Sequence, residues 1–237
     1  MIYLYTGTPG SGKSLDTARM IKGQLAMKHP VICNFPISNK VKNYEYFTYK
    51  TNEELTVDYL TDFARNYFGK NRVKEGQITL VIDECQMLFN SRDWSKPDRS
   101  GWNQFFQIHR HFGYDVVLVT QFDSMIDKQI RSLVEYEIIH RKISNYGLKG
   151  YFLQLLFLAP TLFVRIKIWY PMKEKVDSTF FRGRKSLYAL YDTYALSFVD
   201  NDENSSVGLQ QSECPPENSH RVDKGEVEEI EESKCLT

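Results

Sequence analysis

Residues 7–14, Gly7-Thr8-Pro9-Gly10-Ser11-Gly12-Lys13-Ser14, fit G-x-x-x-x-G-K-[ST] at every fixed position, and no other stretch narrows the possible fold as far. Glycines at these positions permit the positive φ angles that turn consecutive backbone N–H groups inward around a phosphate. The start of a following helix adds its positive end. Lys13 is placed to reach the β- and γ-phosphates, and the Ser14 hydroxyl to help hold Mg²⁺. The flanks agree: Ile2–Thr6 reads as a buried strand. From Ser14 to Lys28 the spacing predicts a helix, with Leu15, Ala18, Ile21 and Leu25 on one face. Gly7, Thr8, Pro9, Gly10, Ser11, Gly12, Lys13, Ser14 and Leu15 are therefore the candidate nucleotide-binding set, with ATP and Mg²⁺ as the expected cofactors.

A phosphate loop alone specifies binding. Residues 79–84, Thr-Leu-Val-Ile-Asp-Glu, add an apolar strand that ends in two carboxylates, at the sheet edge where ligands of open α/β sheets sit. Asp83 is the candidate to hold Mg²⁺ through water. Glu84 is the candidate base for an attacking water, a second acid that a hydrolase needs and a kinase does not. A third apolar strand, Val116–Gln121, ends in Thr120-Gln121. If it lies between the other two, Gln121 can reach the γ-phosphate or the water, since its amide both donates and accepts.

Short apolar runs alternate with helical patterns through the first 140 residues, which predicts a mostly parallel sheet flanked by helices. Further strands are expected at Val31–Phe35, Ile78–Asp83 and Glu137–Ile143, and helices at 52–68 (capped by Thr51 or Asn52) and 101–112. Antiparallel strands are expected near 137–170. Tyr151–Val164 is apolar but too short and too broken by Gln154 and Pro160 for a spanning helix. It reads better as a hairpin turning at Ala159-Pro160-Thr161, with a membrane-surface role left open.

The 30 basic and 30 acidic residues conceal an asymmetry: 27 against 19 through residue 199, then 3 against 11. The division expected is a body over 1–198 and an acidic, disordered tail over 199–237. Met1 leads directly into Ile2-Tyr3-Leu4-Tyr5 and the glycine loop, which leaves no room for a signal peptide. Cys33, Cys85, Cys214 and Cys235 form no C-x-x-C pair, so a reducing cytoplasm is expected rather than secretion.

With these residues in hand, the chain resembles the N-terminal domain of zonula occludens toxin (Zot), the family of filamentous-phage assembly ATPases. The resemblance is carried by the early phosphate loop, by VICNFPI at 31–37 and by VIDECQMLF with its Asp83-Glu84-x-Gln86 run. It continues through His109-Arg110-His111, Thr120-Gln121 and the stretch from Ile126-Asp127 to Arg131. It implies an ASCE-type P-loop core related to HerA and FtsK, with the Gln121 strand central. It also implies ATP hydrolysis that drives phage DNA export and virion assembly at the host inner membrane. Family members generally continue into a membrane-spanning helix. The acidic end of this chain favours instead a cytoplasmic form, peripheral at the host membrane's inner face and recruited by a membrane-anchored assembly partner.

Related motors work as homo-oligomers in which a neighbour's arginine completes the site. Arg110 is the first candidate, followed by Arg131, Arg92 and Arg99. His109 and His111 are split across a helix by their spacing, which suits capping or an interface better than a metal. Phe105 and Phe106 read as core, and the Trp94–Trp102 loop as a contact for single-stranded DNA or coat proteins. Three other readings stay open: a nucleotide-gated scaffold with incidental turnover, a small-molecule kinase, and a secreted toxin suggested by the family's name alone.

Overall fold

The computed structural model describes residues 1–92, 98–148, 152, 155, 156 and 161–190. In chain order the strands are β1 (Ile2–Thr6), β2 (Val31–Cys33), β3 (Phe47–Tyr49), β4 (Ile78–Ile82), β5 (Tyr114–Val119), β6 (Tyr136–Lys142), β7 (Leu162–Trp169) and β8 (Glu174–Arg182). The helices are α1 (Lys13–Ala26), α2 (Val57–Phe68), α3 (Arg99–Ile108), α4 (Lys128–Ser132) and α5 (Lys185–Tyr188). All eight strands form one sheet in the order β3-β2-β4-β5-β1-β6-β7-β8. The first six run parallel, and β7 and β8 extend one edge antiparallel.

Strand periodicity explains the two-sided core. Ile2 and Leu4, Leu80 and Ile82, and Val116 and Leu118 point to the face covered by α2, α3 and α4. Tyr5, Val81, Val117 and Val119 point to the other face, where Ala18, Ile21 and Leu25 of α1 cover them. Strands buried on both sides read as nearly continuous apolar runs, which is why these were visible in sequence. β5 does lie between β1 and β4, the order that brings three strand tips to one place.

Several boundaries differ from expectation. The helix expected from residue 52 begins at Val57, because Thr56 is its cap: its side chain accepts from the Tyr59 N–H. The earlier signal closes a separate turn, in which the Thr51 N–H donates to the Glu54 carboxylate and the Glu54 N–H to the Thr51 hydroxyl. Thr56→Ala should cost about 1 kcal/mol. It should lower the urea midpoint of unfolding while leaving the denaturant slope unchanged.

The antiparallel strands expected near 137–170 extend further: β7 pairs with β6 and then with β8, through a turn at Tyr170-Pro171. The turn expected at Ala159-Pro160 falls partly on 157–160, outside the described residues. Leu148, Phe152, Leu155 and Leu156, expected in or beside the first arm, are helical. Among the described residues no helix is long and apolar enough to cross a membrane. The tail expected at 199–237 also lies outside the described residues.

Candidate functional site

Parallel strands place the C-terminal ends of β1, β4 and β5 on one edge, and the chemistry-bearing residues follow those ends. The phosphate loop leaves β1 at Gly7, whose φ of +142° and neighbours exclude any side chain: a Cβ there would lie 2.5 Å from the His140 carbonyl oxygen. Gly12, at φ +100°, precedes α1 with the Phe163 ring packed against it; an added Cβ would meet that ring at 2.7 Å. The Gly7 N–H donates to the Gln121 carbonyl at 3.1 Å, which binds the start of the loop to the end of β5.

Lys13 reaches back over the loop and donates to the Gly7 carbonyl at 2.6 Å and to Thr8 at 3.4 Å. Burial lowers the pKa of its ammonium, and the negative charges of Glu84 and Asp83 work against that fall. Both carboxylates therefore stand close enough to the lysine to be felt. Gly10, Ser11, Gly12, Lys13, Ser14 and Leu15 line a cavity of about 310 Å³ that is closed on its far side by Lys142, Phe163, Leu187 and Tyr188.

The Asp83 peptide is held by an unexpected partner. Asn34, just past β2, accepts from the Asp83 N–H at 2.7 Å and donates to its carbonyl at 2.9 Å, so a side-chain amide continues the sheet ladder by one step. Asn34 donates as well to Asn52 at 2.9 Å. The available signal was a polar residue closing an apolar strand, the same signal that marked Asp83 and Gln121.

Glu84 occupies the left-handed region at φ +45°, ψ +45°, which is uncommon for a residue with a long side chain and typical of strain kept at functional sites. Its N–H donates to the Asp83 carboxylate at 2.9 Å. The Gln86 amide donates to its carboxylate at 2.5 Å.

The sheet order therefore sets the loop that carries Lys13 and the ends of β4 and β5, with Asp83, Glu84 and Gln121 just beyond them, on one edge, and the Gln121 backbone is tied to that loop. The Gln121 side chain lines a neighbouring cavity of about 440 Å³ with Gly7, Thr8, Glu137 and His140, rather than the one lined by Lys13 and Ser14. A cavity of about 630 Å³ between α2 and α3 contains none of these groups.

Arg110 is not brought to the site. Its guanidinium pairs with Glu75 at 3.1 Å and Glu135 at 2.6 Å, beside the Met1 amino group and Asp115, where the parallel strands begin. These ion pairs occupy it at the edge opposite the phosphate loop of its own chain. Arg99 is also structural: it is buried, donates to the Leu88 carbonyl at 3.1 Å and lies over the Phe89 ring. Arg131 donates to the Asp123 carbonyl at 3.2 Å and so braces the turn that follows Gln121. Asp127 caps α4 by accepting from the Gln129 N–H.

Trp102, expected in a contact loop, is buried in a ring cluster with Phe89, Phe105 and Phe106, while Trp94 lies outside the described residues. His109 is buried with Nδ1 2.6 Å from the Phe106 carbonyl. Among the described residues no group of side chains is arranged to hold a metal on its own.

A second buried group supports the loop from behind. Asp16, in the first turn of α1, is fully buried. One oxygen lies 3.0 Å from His140 Nε2 and 3.5 Å from Arg165, and the other 3.1 Å from Arg19. His140 Nδ1 faces the Thr6 carbonyl at 3.2 Å, so β1, β6, β7 and α1 meet in one ionic knot directly below the phosphate loop. Nothing in the amphipathic pattern of α1 had marked Asp16 as interior.

The sequence model for zonular occludens toxin (Zot) matches residues 1–196, and the chain belongs to that family. It is 29% identical over 216 residues to the Gene 1 protein of Enterobacteria phage I2-2, an alignment that covers 85% of this chain and 58% of that one. It is 32% identical over 140 residues to the putative assembly protein ORF301 of Pseudomonas phage Pf3, covering 58% of this chain and 42% of that one. The chain thus spans less than two thirds of the length of these phage proteins. Among solved structures, the N-terminal domain of zonular occludens toxin from Neisseria meningitidis superposes with a TM-score of 0.51 at 20% identity, covering 81% of this chain and 98% of that one. Another solved ATPase domain superposes with a TM-score of 0.52 at 10% identity, covering 78% of this chain and 82% of that one. By fold and by its phosphate loop the chain is a P-loop NTPase.

Proposed function

We propose that this Zot-family chain is a Mg²⁺-dependent ATPase whose turnover drives filamentous-phage DNA export and virion assembly. It acts as a homo-oligomer in the host cytoplasm or at the inner face of the host membrane, with single-stranded DNA or coat and assembly proteins as partners and a membrane-anchored protein to recruit it. The observation that supports the proposal is a sheet order that sets the ends of β1, β4 and β5 on one edge, with the phosphate loop tied there to the Gln121 backbone. The kinship with phage Gene 1 proteins and a putative phage assembly protein supports the biological setting.

In this reading Lys13 leaves the loop carbonyls for the β- and γ-phosphates. The Ser14 hydroxyl and the Asp83 carboxylate are hard oxygen donors of the kind Mg²⁺ takes, and they would hold it. Bound by these two residues, the cation would supply neutralisation of phosphate charge. Glu84 accepts the proton of the attacking water. Gln121 senses the terminal phosphate from the Gly7–Thr8 end of the loop. Arg110, which lies away from its own chain's phosphate loop as a residue serving a neighbour would, stays the first candidate for a neighbour's contribution, followed by Arg131 and Arg92.

The test is phosphate release from MgATP by the purified chain over a range of protein concentrations, with and without single-stranded DNA. Specific activity should rise steeply with concentration and rise again with DNA, with no acceptor added. Absence of phosphate release at every concentration would overturn the proposal.

A further inference from the structure

We propose that Gln86 is a positioning residue for hydrolysis, its side-chain amide fixing the Glu84 carboxylate towards the phosphate site and tying it to the end of β5. The inference rests on Glu84 acting as the base in the reading above.

A connected set of bonds carries it. The Thr120 hydroxyl, buried at the end of β5, donates to Gln86 Oε1 at 2.9 Å. The opposite side of the same amide donates through Nε2 to Glu84 Oε2 at 2.5 Å. Only one orientation of the amide serves, because a carboxylate accepts and cannot donate. With the carboxylate setting that orientation, the Thr120 hydroxyl gives its proton to the amide oxygen and holds the amide from behind. Thr120 N–H donates to the Tyr5 carbonyl of β1, and the next residue, Gln121, accepts from Gly7 of the phosphate loop. One strand end is thus joined to β1, to the phosphate loop and, through Gln86, to Glu84.

Glu84 needs such a partner. It is exposed, and a carboxylate on a flexible stem at the protein surface samples many rotamers unless something holds it. β4 ends at Ile82 on the sheet edge where the phosphate loop leaves β1, so a carboxylate held in place at residue 84 stands at that edge. The short helical turn Cys85–Met87 sets Gln86 two residues beyond Glu84, and the left-handed backbone at Glu84 lets the two side chains meet. Gln86 is therefore a residue that acts through Glu84, without contact to the nucleotide.

Steady-state kinetics on four variants test this, with the thermal shift on adding MgATP as the control for folding and binding. Gln86→Leu and Thr120→Val should each lower kcat about ten- to hundredfold, the worth of a hydrogen bond to a charged group, with KM nearly unchanged. The double variant should lose no more than Gln86→Leu alone, since both changes break one chain of bonds. Thr120→Ser, which returns the hydroxyl, should recover most of the kcat lost in Thr120→Val. Gln86→Glu, nearly the same shape but with charge facing charge, should lose at least as much as Gln86→Leu and guards against a simple packing fault in the leucine variant. Unchanged kcat in Gln86→Glu and Gln86→Leu, a loss confined to KM, or losses that multiply in the double variant would overturn the inference while leaving the ATPase reading intact. A wild-type chain that releases no phosphate removes that reading, and the inference with it.

Discussion

Glu84→Gln should bind MgATP as tightly as the wild type and hydrolyse it about 10²- to 10⁴-fold more slowly. The substitution changes one oxygen to an NH₂ group. The amide oxygen that remains can still accept from Gln86, so the left-handed backbone at residue 84 and the chain of bonds to Thr120 survive. What is lost is a group able to take a proton from water. The nucleotide contacts lie elsewhere, in the loop and in Lys13, so ATP at about a hundred times its dissociation constant should still stabilise the variant by about 2.7 kcal/mol. Lys13→Ala makes the contrast: it should abolish that stabilisation and the turnover together. Equal hydrolysis rates in Glu84→Gln and wild type would show that the carboxylate does no chemistry. The same variant separates a motor from a nucleotide-gated scaffold. Phage production that fails despite retained ATP binding and assembly requires turnover; production that continues does not.

The features legible in sequence were those in which one short stretch holds both the structural and the chemical signal. β1, β4 and β5 are apolar runs closed by glycine or polar residues, and parallel pairing gathers such ends on one edge. Asn34 carries the same signal on a strand of only three residues and stands out in sequence only as part of a family pattern. Its role depends on facing Asp83 across 49 residues of chain, a pairing that only the sheet order reveals.

Arg110 shows a different limit. It stands between α3 and the start of β5, and a crossover helix delivers its chain to the beginning of the next parallel strand. That geometry sends Arg110 to the edge opposite its own phosphate loop, so any part it plays in hydrolysis is at a neighbour's site. Of the hairpin expected over 151–164, the second arm is the start of β7, while Phe152, Leu155 and Leu156 of the first are helical, because an apolar run of that length fits a helix as well as a strand. The strands that form, β7 and β8, carry more charge and pair where alternation places Phe163 and Phe181 together against Leu15.

Asp16→Ala should be strongly destabilising, by about 3 kcal/mol, because it takes the hydrogen-bond partner from buried His140 and the counter-charge from half-buried Arg19 and Arg165. His140 meets the Thr6 carbonyl through Nδ1 and the Asp16 carboxylate through Nε2. Removing Asp16 strands that ring and also frees Arg165 and Arg19. Burial acts to raise the pKa of the Asp16 carboxyl, but the His140 hydrogen bond and the charges of His140, Arg165 and Arg19 outweigh it and hold it below the ordinary value of 3.8. The sign of the pH dependence follows from that depression. An aspartate that is more acidic in the folded chain than in the unfolded one contributes its full stability above pH 3.8, and loses it as the pH falls through the lower, folded value. Wild-type stability, measured by urea unfolding at successive pH values, should therefore drop below about pH 4, with part of that slope missing in Asp16→Ala. The His140 carbonyl lies against Gly7, so loosening this knot also loosens the mouth of the phosphate loop, and the thermal shift on adding MgATP should shrink with it. A variant that unfolds at the wild-type urea concentration and keeps the wild-type acid slope would show that α1 is held to the sheet by its apolar face alone.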